Sequence, residues 1–358
     1  MKILLLNESD HYCLGASYLR AFRELGHDAM LHDPAKELAR WPAWRSRLVR
    51  RALERPILAL YSRRLLRRLV AEQADLIWVG KGAWALPWLW REFKRQCPSS
   101  ALVCYNADNP IVTYSRGGNR PWVTASVPLF DWYITYNTQL LEPLRRAGAK
   151  RVLRLPFAWD PVVHPVLPVS EVERQQYACD VVFVGNGDST RERWLDGILR
   201  EAEDCGWRMA VYGSWSKCRS ARVRESVRGA AIYGADMVKA IRSAKLAVNI
   251  LRGQNAGSHN MRTFEIPGCG GIMVSQHSPE QQEFFPGGKA AVYFKDTREA
   301  AAKITALLAS ESQRGQLRAR ASEIVRDHVY VERARKLLEA VAEMNSTRTC
   351  SVTSRSRE

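Results

Sequence analysis

Short apolar runs rich in β-branched and aromatic residues alternate with helix-length amphipathic segments along most of the chain. Twelve runs have strand character. In the first half they are Ile3–Leu6, Asp28–His32, Asp75–Val79, Ala101–Tyr105, Asp131–Thr135 and Val152–Leu155. In the second half they are Asp180–Val184, Met209–Tyr212, Ala230–Tyr233, Ala247–Leu251, Gly271–Ser275 and Ala291–Phe294. This alternation is typical of parallel β-sheets connected by crossover helices.

The alternation of strand-like and helix-like segments is interrupted once, by a segment with four prolines from Pro156 to Pro168. Successive X-Pro steps favour extended chain and prevent a regular helix, which indicates a linker between two α/β domains. The predicted organisation is an N-terminal Rossmann-like domain over 1–156, a linker over 157–178, a C-terminal Rossmann-like domain over 179–344 and a disordered Ser/Thr/Arg tail over 345–358.

Two helix starts in the second half carry clear capping signals. Ser189 with Glu192 predicts a capping box, and Ser278 followed by Pro279 predicts a capped helix with proline at its first position. Each helix follows a predicted strand, so the intervening loops are expected at the carboxyl ends of parallel strands.

Composition and charge narrow the class of protein. The 358 residues are 46% hydrophobic with a formal net charge of +17, and no apolar run approaches the roughly 20 residues of a spanning helix. The eight cysteines form no C-x-x-C pair. We therefore expect reduced thiols in a cytoplasmic protein, with peripheral attachment to the inner face of the membrane as a further expectation.

The basic excess is concentrated over residues 36–70, which hold eleven basic and two acidic side chains. Within this segment, Ile57–Val70 predicts a helix with Leu58, Tyr61, Leu65, Leu66 and Leu69 on one side and Arg63, Arg64, Arg67 and Arg68 on the other. Such a helical insertion can offer cations to an anionic membrane surface. The alternative is an ordinary solvated face.

Several common phosphate-binding and metal-binding signatures are absent from the sequence. No G-x-x-x-x-G-K-[ST] occurs, the first strand is not followed by G-x-G-x-x-G, and no D-x-D pair is present. The seven histidines form no set with metal-ligand spacing. The sequence therefore predicts chemistry without a bound metal and without a resident cofactor.

One strand–loop–helix junction contains Gly185, Asn186, Gly187 and Arg191. The glycines allow close backbone approach to a ligand, the following helix offers unpaired N–H groups, and the arginine adds a fork of donors. This combination suits a diphosphate. The alternative is a tight turn before an ordinary capped helix.

A second junction places Arg262 and Glu265 three residues apart, on one face of a short helix. A glutamate there can accept two hydrogen bonds from a ribose diol. An internal Arg262–Glu265 ion pair is the alternative.

The residues around this junction resemble a known family. His259-Asn260-Met261-Arg262-Thr263-Phe264-Glu265-Ile266-Pro267-Gly268-Cys269-Gly270-Gly271, followed by Glu283-Phe284-Phe285-Pro286-Gly287-Gly288-Lys289, is similar to the C-terminal half of CgeB-like (spore maturation protein type) glycosyltransferases. These belong to the group-1 glycosyltransferases with the GT-B fold. The resemblance covers roughly residues 180–342.

The resemblance implies two Rossmann-like domains with parallel sheets facing across a cleft, and a nucleotide-sugar donor, UDP-sugar favoured, held mainly by the second domain. Glu265 would bind the ribose, Arg191 with Gly185–Gly187 the diphosphate, and Arg262 the departing phosphate in place of a metal. Either Tyr212 or Tyr233 would stack on the base.

The sequence departs from the two-glutamate pattern of many retaining relatives, because Gly257 stands where the first glutamate is expected. His259 or Asn260 would then contact the sugar or phosphate. An inverting enzyme would need a base from the first domain, for which Asp10, His11 and Asp108 are the candidates, and Asp108 and His11 are the predicted catalytic residues.

The resulting hypothesis is a metal-independent, retaining hexosyltransferase of polysaccharide biosynthesis. Its acceptor would be a cell-envelope glycan, a lipid-linked glycan or a protein. The alternatives are a sugar-nucleotide epimerase of the same fold and a non-catalytic basic protein that binds nucleic acid or an anionic surface. Nucleic acid is not the expected partner, because no zinc module or RNP-like signature accompanies the charge.

Overall fold

The computed structural model describes residues 1–112 and 120–355. The chain divides into two compact units, of which the first comprises Met1–Pro156 with the C-terminal segment from Tyr330, and the second comprises Phe157–Val329. Each unit is built around one six-stranded sheet.

The sheet of the first unit is parallel throughout and has the strand order β2-β1-β3-β4-β5-β6. Its strands are β1 (Lys2–Leu6), β2 (Asp28–His32), β3 (Leu76–Gly80), β4 (Ala101–Tyr105), β5 (Trp132–Thr135) and β6 (Val152–Arg154). Strands β1, β3 and β4 are almost wholly buried, as expected for a sheet covered by helices on both faces.

Eight α-helices belong to the described part of the first unit. They are α1 (Leu14–Glu24), α2 (Pro34–Ala39), α3 (Pro42–Arg45), α4 (Arg47–Glu72), α5 (Pro87–Gln96), α6 (Pro121–Ser126), α7 (Leu141–Arg146) and α16 (Tyr330–Arg355). The last of these returns from the far end of the chain and packs against α1.

The sheet of the second unit is also parallel, with the order β12-β11-β10-β7-β8-β9. Its strands are β7 (Cys179–Val184), β8 (Met209–Tyr212), β9 (Val227–Gly229), β10 (Ala244–Asn249), β11 (Met273–Gln276) and β12 (Val292–Phe294). Its helices are α8 (Glu171–Gln176), α9 (Ser189–Glu201), α10 (Ala221–Ser226), α11 (Gly234–Ser243), α12 (Arg262–Gly268), α13 (Pro279–Phe284), α14 (Thr297–Ala309) and α15 (Glu311–Val325).

All but one of the predicted strands overlap an observed strand. The exception, Ala230–Tyr233, is wrong: the strand in this region is β9, which pairs with β8 through Val227 and Gly229. The partner strand β8 ends at Tyr212, so the residues after Gly229 have no strand residues opposite them with which to pair.

The predicted capping box at Ser189 is also wrong. The N-cap of α9 is Asp188, whose carboxylate accepts hydrogen bonds from the N–H groups of Thr190 and Arg191, 3.0 Å each. Glu192 turns instead to the backbone N–H of Ser220 at 2.7 Å. The predicted Ser278 cap of α13 is confirmed, with its hydroxyl accepting from the N–H of Gln281.

The predicted amphipathic helix of the basic segment forms the second half of α4, after a kink at Leu53. Leu58, Tyr61, Leu65 and Leu69 are buried, and Leu66 packs against the same core. The four arginines 63, 64, 67 and 68 are exposed. The two-sided pattern predicted for this helix is thus present in the structure.

The ends of the predicted domains differ from the division of the structure. The segment 157–178 belongs to the second unit and contains α8, while α16 belongs to the first unit. Helix α16 extends to Arg355, over most of the segment predicted as a disordered tail, and 356–358 lie outside the described residues.

Leu65 tests the packing of α4 onto the first sheet. Leu65→Ala removes most of a side chain that is only 2% exposed and leaves a cavity in the core. We therefore expect the free energy of unfolding to fall by about 2–5 kcal/mol. The matched control is Leu60→Ala on the same helix, where the side chain is 59% exposed and the change should stay within about 0.5 kcal/mol. Urea denaturation followed by circular dichroism measures both, and equal effects would contradict the assigned packing.

Candidate functional site

The candidate site lies at the carboxyl edge of the second sheet. Strands β7 and β10 are neighbours in the centre of that sheet, with β8 and β11 on either side. Ligands of open parallel sheets bind outside the carboxyl ends of the strands, where the loops leave the sheet. The loop after β7 and the residues between β10 and α12 meet at this edge.

The loop after β7 is packed closely against the loop after β8. A Cβ on Gly187 would lie 2.6 Å from Cε3 of Trp215, and one on Gly213 would lie 2.2 Å from the carbonyl oxygen of Gly185. The indole N–H of Trp215 donates to that same oxygen at 3.0 Å. The absence of a side chain at Gly187 and Gly213 thus allows the two loops to pack against each other.

The backbone N–H groups of the two glycines in this loop are already engaged. The N–H of Gly185 donates to Tyr212 O at 2.9 Å, and the N–H of Gly187 donates to Ser214 O at 3.0 Å. The side-chain oxygen of Asn186 accepts from the N–H of Ser214 at 3.0 Å. Asp188 accepts the N–H groups of Thr190 and Arg191, so the unpaired N–H groups expected at the start of α9 are not present at these two positions. The cationic side chains are the remaining candidate donors to a diphosphate.

Arg191 is held inside the site by carbonyl oxygens. It is 9% exposed, and its Nε donates to Ile250 O at 3.2 Å while Nη1 donates to Asn186 O at 3.0 Å. Its guanidinium also lies 5.7 Å from the ring centroid of Phe183. Burial, helped by the positive charges of Arg252 and Arg262, lowers the pKa of Arg191 to about 10.

Three arginines therefore act on one another at this edge, and two carboxylates accompany them. Arg252 Nε lies 3.5 Å from the Asp188 carboxylate, which is also 4.0 Å from Arg191 Nε. Arg262 Nε donates to Val184 O at 3.0 Å and Nη1 forms an ion pair with Glu265. An excess of positive charge in a partly buried site favours an anionic ligand. Sequence reasoning missed Arg252, whose only signal was its position just after β10.

The internal Arg262–Glu265 ion pair, weighed from sequence as the alternative to a ribose contact, is present in the structure. The Glu265 side chain is only 4% exposed, and Oε2 is the oxygen that contacts Arg262. The second oxygen, Oε1, takes no part in this ion pair.

His259 and Asn260 lie in the protein interior. His259 is 0% exposed; its Nδ1 lies 2.7 Å from Glu280 Oε2, and its Nε2 accepts the N–H of Phe157 at 3.2 Å. Asn260 exchanges side-chain hydrogen bonds with Asn249 at 2.9 and 3.1 Å. Both residues thus support the loop that leads into α12.

The two tyrosines predicted to stack on a base differ in exposure. Tyr212 ends β8 and is buried, with its ring 6.0 Å from that of Tyr177. Tyr233 is 43% exposed and precedes the first residue of α11. Of the two, only Tyr233 has a largely accessible side chain.

The predicted bases Asp108 and His11 belong to the first unit. Asp108 forms an ion pair with Lys81, with 2.7 Å between Oδ2 and Nζ. His11 is exposed, and its Nδ1 lies 3.4 Å from Arg20 Nη1. Their catalytic role stays a prediction.

Within residues 1–112 and 120–355, no group of three or more His, Cys, Asp or Glu side chains is placed to hold a metal ion. In the same part of the chain, none of the helices has the length and apolar character needed to cross a bilayer.

Comparisons with known proteins agree with this architecture. Residues 191–339, less than half of the chain, match a family model described as "Glycosyl transferase-like". No significant match is found among curated proteins.

Solved structures share the fold. Anabaena HepE in complex with UDP superposes with a TM-score of 0.65 at 13% identity, over 96% of this chain and 100% of that one. Sucrose-phosphate synthase from Thermosynechococcus elongatus superposes with a TM-score of 0.70 at 13% identity, over 97% of this chain and 100% of that one. A glycosyltransferase from Rickettsia africae superposes with a TM-score of 0.68 at 8% identity, over 96% of this chain and 98% of that one. The GT-B fold class is thereby confirmed.

Gly187 tests the loop packing at the site. Gly187→Ala forces Trp215 to move, so we expect the unfolding free energy to fall by about 1–3 kcal/mol and the tryptophan emission to change. The control is Gly253→Ala, because a Cβ there has no atom within 4 Å. Thermal unfolding and fluorescence measure both, and an unchanged Gly187→Ala protein would show that the two loops are not in contact.

Proposed function

We propose that the chain is a glycosyltransferase of the CgeB-like type that transfers a hexose from a nucleotide-sugar donor, with UDP as the favoured nucleotide. The observation that carries this proposal is the set of three arginines, 191, 252 and 262, beside the buried Glu265 at the carboxyl edge of the second sheet. The match of residues 191–339 to the glycosyl transferase-like family supports it. The UDP complex of Anabaena HepE, which has the same fold, supports the choice of nucleotide.

The chemistry of the leaving group explains why the arginines matter. When the bond from the sugar to the donor phosphate breaks, negative charge builds up on the departing nucleoside diphosphate. A fixed guanidinium stabilises that charge without the reorganisation that water would need. Arg262 is fixed in this way by one backbone carbonyl and Arg191 by two, and we assign them the role that a divalent metal has in other transferases.

Glu265 is assigned to the ribose of the donor. Its Oε2 is held by Arg262, so Oε1 is the oxygen that would accept from the ribose hydroxyls. In this assignment the ion pair fixes the carboxylate, and the same side chain that orients Arg262 orients the nucleoside.

The stereochemistry and the acceptor are proposed from the family resemblance and from the charge of α4. Retention rests on the family resemblance, although Gly257 replaces the first glutamate of the two-glutamate pattern. A cell-envelope glycan, a glycolipid or a protein is the proposed acceptor. The exposed arginines of α4 support peripheral binding to an anionic membrane surface.

Glu265→Gln tests the donor site. The variant loses the charge that strengthens hydrogen bonds to the ribose, so we expect the Kd for UDP and for its UDP-sugar to rise about ten- to a hundredfold. Isothermal titration calorimetry measures the change. The control is Glu225→Gln, an exposed glutamate on α10 of the same unit, which should bind as the parent protein does.

Two outcomes would contradict the donor assignment. One is unchanged UDP affinity in a folded Glu265→Gln protein, and the other is no binding of any UDP-, GDP-, dTDP- or CMP-sugar by the parent protein. Product analysis separates the remaining activity classes, because an epimerase alters the free donor whereas a transferase requires an acceptor.

Removal of divalent metal tests the role given to the arginines. We expect the rate of transfer with the donor identified by calorimetry to be unchanged by EDTA, since the arginines supply the positive charge. The same assay on Arg262→Gln should show a loss of kcat that added Mg²⁺ or Mn²⁺ does not restore. A transfer reaction abolished by EDTA and restored by Mg²⁺ would refute metal independence while leaving the glycosyltransferase assignment intact.

A further inference from the structure

A second cationic cavity lies in the first unit, at the carboxyl ends of β1 and β2. Its volume is about 550 Å³. Its wall includes four cationic side chains and one indole, contributed by Lys36, Arg40, Trp41, Arg64 and Arg68. None of these side chains belongs to the site described in the second unit.

Buried polar groups under this cavity hold the arginines in place. His32 is 9% exposed, and its Nδ1 lies 3.0 Å from Nη1 of Arg68. Arginine can only donate, so Nδ1 accepts and the imidazole carries its proton on Nε2. That Nε2 lies 2.9 Å from Oε2 of Glu37, to which it donates. Burial and the Arg68 charge lower the pKa of His32, in agreement with a neutral ring.

Both carboxylate oxygens of Glu37 are engaged by neighbouring side chains. The hydroxyl of the fully buried Tyr61 donates to Oε2 at 3.1 Å, and Arg64 Nε lies 3.1 Å from Oε1. Arg64 and Arg68 are thereby anchored at one end of each guanidinium, while both side chains stay exposed at the cavity. Anchored guanidinium forks of this kind suit the oxygens of a phosphate group.

The charge balance of the cavity favours an anion as well. Asp33 and Glu37 are the acidic side chains of its wall, against four cations. Lys36 is paired with Asp10 at 2.8 Å, and the exposed Arg40 guanidinium has no ion pair within the described residues. The cations therefore exceed the acidic groups that line the cavity.

We propose that this cavity binds a phosphate or diphosphate group, and that in the reaction this group belongs to the acceptor. The second part rests on the proposed function, whereas anion binding stands on the cavity alone. A soluble phosphate ester and a phospholipid headgroup share this chemistry, and the experiment separates them.

The helix offers a matched pair of variants. Arg64 and Arg68 line the cavity, while Arg63 and Arg67 are also exposed on the same helix and do not line it. Arg64→Gln/Arg68→Gln and Arg63→Gln/Arg67→Gln thus remove the same charge from the same helix. A third variant, Arg40→Gln, changes a side chain whose guanidinium has no ion pair in the described structure, and it covers the case in which the first double variant fails to fold.

Pyrophosphate is the probe, titrated by calorimetry into the full-length protein, and the paired variants assign its binding to this cavity or to another site. We expect Arg64→Gln/Arg68→Gln to weaken pyrophosphate binding at least about tenfold and Arg40→Gln to weaken it several-fold, with Arg63→Gln/Arg67→Gln unchanged. A second arm measures sedimentation with phosphatidic acid vesicles. Loss of vesicle binding in Arg64→Gln/Arg68→Gln but not in Arg63→Gln/Arg67→Gln supports a phosphate carried by a lipid. Binding of pyrophosphate without binding of vesicles supports a soluble phosphate ester.

Equal losses in the two double variants would overturn the proposal, because they would show a diffuse basic surface. The absence of pyrophosphate and vesicle binding in the parent protein would also overturn it. UDP affinity, measured in the same proteins, tests the proposed function separately. If the parent protein binds pyrophosphate through Arg64 and Arg68 but binds no UDP, the anion site in this cavity is supported and the donor assignment is contradicted.

Discussion

The burial of Arg191 at the carboxyl edge of the second sheet is the constraint on which the candidate site depends. A buried guanidinium must have partners, and Arg191 finds its close ones in carbonyl oxygens, which satisfy its donors without cancelling its charge. Arg252 and Arg262 add to that charge, and their effect is visible in the lowered pKa of Arg191. A sheet edge built in this way attracts an anion more strongly than one in which every cation meets a carboxylate.

In the first unit an arginine is also held by an uncharged partner, which is a side chain instead of a backbone carbonyl. Arg68 is held there by a neutral imidazole, and the imidazole is in turn oriented by Glu37. In both units the partner fixes the direction of a guanidinium while leaving its charge largely available. Rigid cations lose less conformational entropy on binding than mobile ones, which links the buried polar groups to the binding of anions.

The fold was predictable from the sequence because apolar runs and helix-length segments alternate so regularly, and strands β2, β4 and β8 have the predicted limits. The site was predictable only in part. Arg191 and Glu265 stand near glycines that mark loops in the sequence pattern. The roles of the backbone donors were not predictable, because they depend on which loop packs against which, and a chain pattern does not specify that Gly187 meets Trp215.

The Arg262–Glu265 ion pair is compatible with a ligand-binding role for the carboxylate. Buried ion pairs contribute little net stability, since the cost of removing both charges from water offsets their attraction. A pair that stabilises the fold weakly still fixes two side chains, and here it is reinforced by the hydrogen bond from Arg262 to the end of β7. Glu265 is thus oriented before any ligand arrives, so a ribose that meets its second oxygen would not have to order the side chain first.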